Sequence, residues 1–132
     1  MTIFVDASAI VAIIDGEAEA DAFSDAIEAH NDRCYCAVGA WEAAQAIARL
    51  RKIDLRTAAA IVADFAHQAG LRLVTIDQAE RDTAIEAAAR YGKRSRHPAQ
   101  LNMGDCFAYA CAKTNDALLL YKGNDFSHTD LG

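Results

Sequence analysis

Four acids stand out by where they fall in the chain. Asp6 closes the apolar run Ile3-Phe4-Val5 and is followed by Ala7. A carboxylate in such a run is costly to bury without a partner. Glu42 lies in the apolar stretch Ala-Trp-Glu-Ala-Ala, Asp105 in Met-Gly-Asp-Cys-Phe-Ala, and Asp125 just after Gly123-Asn124. Like charges a few Å apart repel, and burial makes the repulsion worse. A divalent cation relieves it, and hard ions such as Mg²⁺ or Mn²⁺ take oxygen ligands. One or two such ions can generate hydroxide from water and stabilise the transition state of phosphodiester cleavage. Plainer readings exist for three of the four. Glu42 could be helix surface, Asp105 a helix N-terminal acid, and Asp125 a turn residue. Glu17, Glu19, Asp21, Asp25 and Glu28 fall on polar helix faces and read as solvated surface.

The elements that must position these acids can be read from periodicity. Thr2–Asp6 reads as a buried strand. Ser8 can cap a short helix to Ile14, and Glu17 to about His30 follows with Ala18, Ala22, Phe23, Ala26 and Ile27 on one stripe. Asn31-Asp32 is a turn before a second strand, Arg33–Val38. A helix over Ala40–Lys52 keeps its period through Trp41, Ala44, Ile47, Ala48 and Leu50. Another starts at Asp54 or Thr57 and stops at Gly70. Leu71–Ile76 is the third strand. Asp77 caps a helix from Gln78 to Tyr91, and Lys93–Met103 is a loop. The last helix runs from Gly104-Asp105 to Thr114, and Ala117–Tyr121 is the fourth strand. The tail from Lys122 reads as loop with room for a short edge strand. Strands alternating with helices imply an α/β fold with a mainly parallel sheet. In such sheets, sites form at the carboxyl ends of strands near a topological switch point. At least three of the four acids are expected at that edge.

Composition sets bounds on this. The chain has 132 residues, 53% of them apolar, which fits one domain over 1–132 with a real core. Thirty alanines favour helices that approach closely. No apolar run reaches the roughly 20 residues of a membrane span. Asp6 interrupts the apolar opening and no basic segment precedes it, so no export signal is expected and a cytoplasmic location is. Cys34, Cys36, Cys106 and Cys111 lack zinc-site spacing and are expected to be buried free thiols in a reducing compartment. A net charge of −6 argues against coating nucleic acid by bulk charge.

One stretch runs against that charge. Arg90-Tyr91-Gly92-Lys93-Arg94-Ser95-Arg96-His97 holds four of the 13 Lys and Arg residues, and no acid occurs between Glu86 and Asp105. Lys93, Arg94, Arg96 and His97 are therefore candidates for phosphate contact, with Tyr91 or His97 able to stack on a base. The competing reading is a solvated loop at a helix C-terminus. Ser8, beside Asp6, could bond a carboxylate oxygen or a metal-bound water, or simply cap a helix.

The ordered set of motifs resembles the PIN-domain ribonucleases of the VapC toxin type over essentially the whole chain. It comprises Phe4-Val5-Asp6-Ala7-Ser8-Ala9, Gly16-Glu17, Trp41-Glu42-Ala43-Ala44, His97 through Ala108, and Leu118 through Phe126. The resemblance implies a three-layer α/β/α sandwich around a small, mainly parallel sheet. It maps the family's acids onto Asp6, Glu42, Asp105 and, less closely, Asp125, since many relatives carry an acid where this chain has Asn124. It implies that Asp6 and Asp105 hold the main Mg²⁺ or Mn²⁺, with Glu42 and Asp125 serving a second ion or the attacking water. RNA hydrolysis would leave a 5′-phosphate and a 3′-hydroxyl on structured targets such as a transfer RNA or a ribosomal RNA loop. A VapB-like antitoxin, a homodimer and a toxin–antitoxin hetero-oligomer are the implied partners.

Other readings compete. An aspartate-nucleophile phosphatase needs a second Asp two residues after the first, where this chain has Ser8. A response-regulator-like module could use Lys122 as its late lysine, but the paired acids after the first strand are missing. A catalytically silent PIN fold acting as a binding module would not require the acids.

Overall fold

The computed structural model describes residues 1–132. Its elements in chain order are β1 (Thr2–Val5), α1 (Ala7–Ile14), α2 (Ala20–Glu28), β2 (Asp32–Tyr35), α3 (Ala37–Arg51), α4 (Leu55–Gln68), β3 (Arg72–Leu73), α5 (Gln78–Tyr91), α6 (Met103–Thr114) and β4 (Ala117–Leu120), with a 3₁₀ turn at Lys93–Ser95. All strand pairs are parallel, and the order across the sheet is β3-β2-β1-β4. The chain moves outward from β1 to β2 and β3, then returns to the other side of β1 for β4. The switch point therefore lies between β1 and β4, where Val5 pairs with Leu120.

Alternation along β1 divides the core in two. Phe4 points into a cluster with Cys34, Leu119, Phe126 and the inner faces of α5 and α6. Val5 points the other way, into Ile10, Ile27, Ala43, Ala44 and Val62 from α1 to α4. The result is the expected three-layer α/β/α sandwich with a small parallel sheet. Alanines dominate both helical layers, so the helices pack closely on the sheet, and α6 is buried along most of its length.

Several boundaries differ from the sequence reading, each for a local reason. Asp6, not Ser8, caps α1. A carboxylate at the strand end reaches the first free N–H groups sooner than a hydroxyl two residues on. Helix α3 starts at Ala37 because Cys36 ends the strand early and its Sγ accepts from Gly39 N–H. Trp41 and Leu50, expected on the inner stripe of α3, are 59% and 54% exposed. Ala44 and Ile47 face inward as expected, and Gly39 and Ala43 join them in place of Trp41 and Leu50, because close packing favours the small side chains. Helix α2 starts at Ala20, three residues later than expected, so Ala18 lies in the turn before it; Ala18 and Ala22 are exposed and Ile27 alone is fully buried. Strand β3 shrinks to two residues, and the tail holds turns with no edge strand. The turn placed at Asn31-Asp32 lies partly inside β2, since Asp32 is pinned by Thr2 Oγ1 at 2.8 Å and by Arg72 Nε and Nη2 at 2.7 and 3.0 Å. Helix α5 matches its expected span, with a capping box between Asp77 and Glu80. The four cysteines are free and buried.

Phe4 joins the sheet to the α5–α6 layer, and its side chain is 1% exposed. Phe4→Ala is expected to destabilise the fold by about 3–5 kcal/mol, read as a lower urea midpoint at unchanged slope.

Candidate active site

The switch point carries an open cavity of about 330 Å³. Asp6, Glu42, Asp105 and Asp125 all line it, together with Ser8, Asn102, Glu17 and Lys122. The four acids come from β1, α3, α6 and the segment after β4. Their arrival at one place is a property of the topology.

Asp6 and Asp105 are held rigidly. Asp6 is the N-cap of α1, and its Oδ2 accepts from Ser8 N–H at 3.0 Å and Ser8 Oγ at 2.6 Å. Ser8 Oγ in turn accepts from Lys122 N–H at 2.9 Å, which ties the segment after β4 to the end of β1. Asp6 N–H donates to Leu120 O at 3.0 Å, extending the β1–β4 ladder to the acid itself. Asp105 shares a capping box with Asn102: Asn102 N–H donates to Asp105 Oδ2 at 3.1 Å, and Asp105 N–H to Asn102 Oδ1 at 2.8 Å. Both acids thus sit at helix N-termini, whose partial positive charge favours an anion.

Glu42 and Asp125 make no hydrogen bond to protein. Glu42 is half-buried, and its carboxylate lies against Gly104 so closely that a methyl group there would overlap it. Asp125 stands on an exposed loop anchored by Phe126, which is buried and packs edge-on to Tyr121 at 5.0 Å. The carboxylates line the cavity without meeting at one point, and no three Asp, Glu, His or Cys side chains stand close enough together to cage an ion.

The electrostatics match a crowded anionic site. Burial pushes Asp105 up to about 7, against the pull of its bond from Asn102, and repulsion from Asp125, Asp6 and Glu42 adds to the rise. Burial raises Asp6 too, opposed by the bonds from Ser8 and augmented by Asp125. Glu42 is raised by burial and then by Asp6. Each of these acids resists ionisation partly because the others are there.

A model of the PIN domain matches residues 3–131. The chain belongs to the PIN-domain family. A VapC ribonuclease of Rhizobium meliloti is 41% identical to it, with 98% of this chain and 99% of the relative covered. Ribonuclease VapC30 of Mycobacterium tuberculosis is 38% identical over 96% of this chain and 94% of its own length. Ribonuclease VapC of Mycolicibacterium smegmatis is 36% identical, covering 96% of this chain and 95% of its own. The relatives are matched end to end, so the resemblance drawn from the motifs extends across this PIN domain.

Of the other residues singled out by sequence, Ser8 lies in the site, bonded to Asp6 and also part of the first turn of α1. Lys93 and Arg94 are exposed on the 3₁₀ turn and border a separate groove that shares Asn102 with the acidic cavity. Arg96 is exposed and lines neither cavity. His97 is half-buried, its Nδ1 accepting from Ala99 N–H at 3.1 Å and its ring edge-on to Tyr91 at 4.8 Å. Tyr91 is 3% exposed and its hydroxyl donates to Asp130, so it cannot stack on a base. Glu17, read as solvated surface, lies on the cavity rim, paired with Lys122. Asn102 and Gly104 fall within the motif His97–Ala108 but were given no role at the site by sequence, and Lys122 was given one only in the response-regulator reading. The spacing Asn102-x-x-Asp105 does carry a capping-box signal for the first of them.

The raised acids make two outcomes measurable. Asp105 has a folded pKa above its unfolded value, so its neutral form favours the fold. That contribution is complete below about pH 4 and is lost as pH rises towards 7. In EDTA, Asp105→Asn is therefore expected to raise the melting temperature at pH 8 and leave it nearly unchanged at pH 4. Gly104→Ala is expected to displace the Glu42 carboxylate and cut nuclease turnover about tenfold or more with little change in fold by circular dichroism.

Proposed function

We propose that this PIN domain is a metal-dependent endoribonuclease, the toxin of a toxin–antitoxin pair. One observation carries the reading: Asp6 and Asp105, fixed as N-terminal acids of α1 and α6, face the same cavity as Glu42 and Asp125. The donor set fits a hard divalent cation, being all oxygen and strained by mutual repulsion without one. Mg²⁺ or Mn²⁺ would be held mainly by Asp6 and Asp105, with Glu42 and Asp125 free to turn toward a second ion or a water. Bound there, the ion would supply an activated water and charge stabilisation on a phosphodiester. The chain's own groups have distinct tasks. Ser8 holds the Asp6 carboxylate in place, Asn102 holds Asp105, and Gly104 leaves room for Glu42. Lys122, paired with Glu17 at the rim, offers a cation to a phosphate entering the site. Hydrolysis in line would leave a 5′-phosphate and a 3′-hydroxyl.

The relatives' names as ribonucleases support RNA as the substrate, and Lys93 and Arg94 give an acidic protein a local cationic edge. Structured RNA, such as a transfer RNA or a ribosomal loop, is the proposed target. An antitoxin of the VapB kind is the proposed partner. Exposed Trp41 and Leu55 border an apolar groove of about 370 Å³ between α3 and α4, a surface suited to a partner segment. A homodimer and a toxin–antitoxin hetero-oligomer belong to the same proposal. No helix is long and apolar enough to cross a membrane, and a cytoplasmic site of action fits an RNA target.

The test is cleavage of total RNA by the purified protein. Mg²⁺ is expected to support cutting, EDTA to abolish it, and Asp6→Asn to reduce it at least about a hundredfold. Equal cutting with EDTA or by the Asp6 variant would sink the reading, as would a failure of the wild-type protein to cut any RNA.

A further inference from the structure

The largest cavity of the molecule is not the acidic one. A groove of about 670 Å³ runs along the α5–α6 face, floored by Ala84, Ala88, Leu101 and Phe107, with Met103 at its lip. Met103 and Ile85 beside it are 65% and 63% exposed. Lys93 and Arg94 close one end, and no acid lines the groove at all. In a chain of net charge −6 that is a marked local inversion.

The groove is joined to the acidic cavity by one residue. Asn102 lines both. Its carbonyl oxygen is committed to Asp105 N–H, and its amide nitrogen has no protein partner. That leaves a hydrogen-bond donor between a phosphodiester-sized acidic site and an apolar slot with a cationic end. A ligand spanning the two needs a flat apolar body, a phosphate on either side of it, and an acceptor between them.

We propose that the α5–α6 groove is a nucleotide subsite that takes an unpaired base of RNA next to the scissile phosphate. The base lies against Ala88, Leu101 and Phe107, Lys93 and Arg94 contact its outer phosphate, and the Asn102 amide donates to the ribose or phosphate between the sites. The subsite rests on the reading of the acidic cavity as the cleavage site. Charge favours RNA over a second copy of this chain as the occupant. Lys93 and Arg94 with no acid in the lining suit a phosphate, and the shared Asn102 makes the groove continuous with the acidic cavity where an RNA phosphate would be cut.

The experiment measures binding and cutting separately, using the full chain. Binding is followed by fluorescence anisotropy in EDTA, with a fluorescein-labelled single-stranded RNA of about ten nucleotides. The double variant Lys93→Ala/Arg94→Ala is expected to weaken binding and flatten the plot of log affinity against log salt by about 0.7, the value for one lost phosphate contact on a single strand. Ala88→Phe, at an exposed position, fills the groove. It is expected to weaken binding about tenfold for normal RNA and to leave an abasic RNA of the same length unaffected, because stacking carries its effect. In cutting assays both variants should raise KM more than they lower kcat. Unchanged affinity and salt slope in the double variant overturn the proposal, even if Ala88→Phe fails to fold. So does a variant that shifts the mass by light scattering and leaves RNA binding intact, which would mark a contact between copies. The two readings fail in different ways. Wild-type protein that binds RNA through the groove but never cuts it with Mg²⁺ would refute the acidic site and keep the subsite. Wild-type protein that cuts, with groove variants that bind like it, would refute the subsite alone.

Discussion

Keeping several carboxylates near one another, partly out of water, costs free energy that the rest of the fold must offset. Burial raises Asp6, Glu42 and Asp105, and each is raised further by another acid of the group. An isolated helix or strand could not hold such an arrangement. Here a parallel sheet does so by rigid backbone geometry. β1 and β4 end side by side, α1 and α6 begin beside those ends, and their N-termini face the acids with unpaired N–H groups. Asp6 and Asp105 each serve as a helix-terminal hydrogen-bond acceptor and as a wall of the cavity. One carboxylate meets two demands, and the capping interaction offsets part of the repulsion.

The division of the core follows from the same constraint. Phe4 and Val5 point to opposite faces of β1, so both helical layers are anchored to the strand that carries Asp6. Small residues let those layers close in. Gly104 is the limiting case, since only hydrogen fits where the Glu42 carboxylate crosses α6. On the far side, Phe126 is driven into the core and leaves Asp125 on the cavity. The tail is tied down by Asp130, which accepts from Tyr91, Tyr109 and Lys113. The loop that carries Asp125 is thus bracketed by a buried aromatic ring and an exposed ion pair, Lys113–Asp130, with no regular secondary structure of its own.

Charge is distributed with equal economy. The surplus of acids lies largely on helix surfaces, while four acids line one cavity with Lys122 at the rim. Cations cluster on the 3₁₀ turn after α5, where the helix C-terminus already favours them. An acidic protein can therefore present a polyanion with a short cationic approach beside a cation-seeking pocket.

The sequence by itself determined the class of fold, the strand and helix order, and the identity of the acids worth following. Asp6 was legible because a carboxylate ending an apolar strand has no cheap explanation, and α5 because its cap, period and stop all agree. Local signals could not show which side of α3 faces inward. The period allowed Trp41, but packing against α1 and α4 selected the alanines and turned the tryptophan out. Nor could they show that Glu17 would reach the cavity rim, that Tyr91 would be buried, or that Asn102 would border two cavities. Those facts depend on contacts between residues a hundred positions apart, such as Lys122 N–H on Ser8 Oγ. Such contacts exist only once β4 has docked beside β1. Side-chain types are written in the chain, whereas which of them share a cavity is decided by strand order, and strand order is settled by the packing of whole layers.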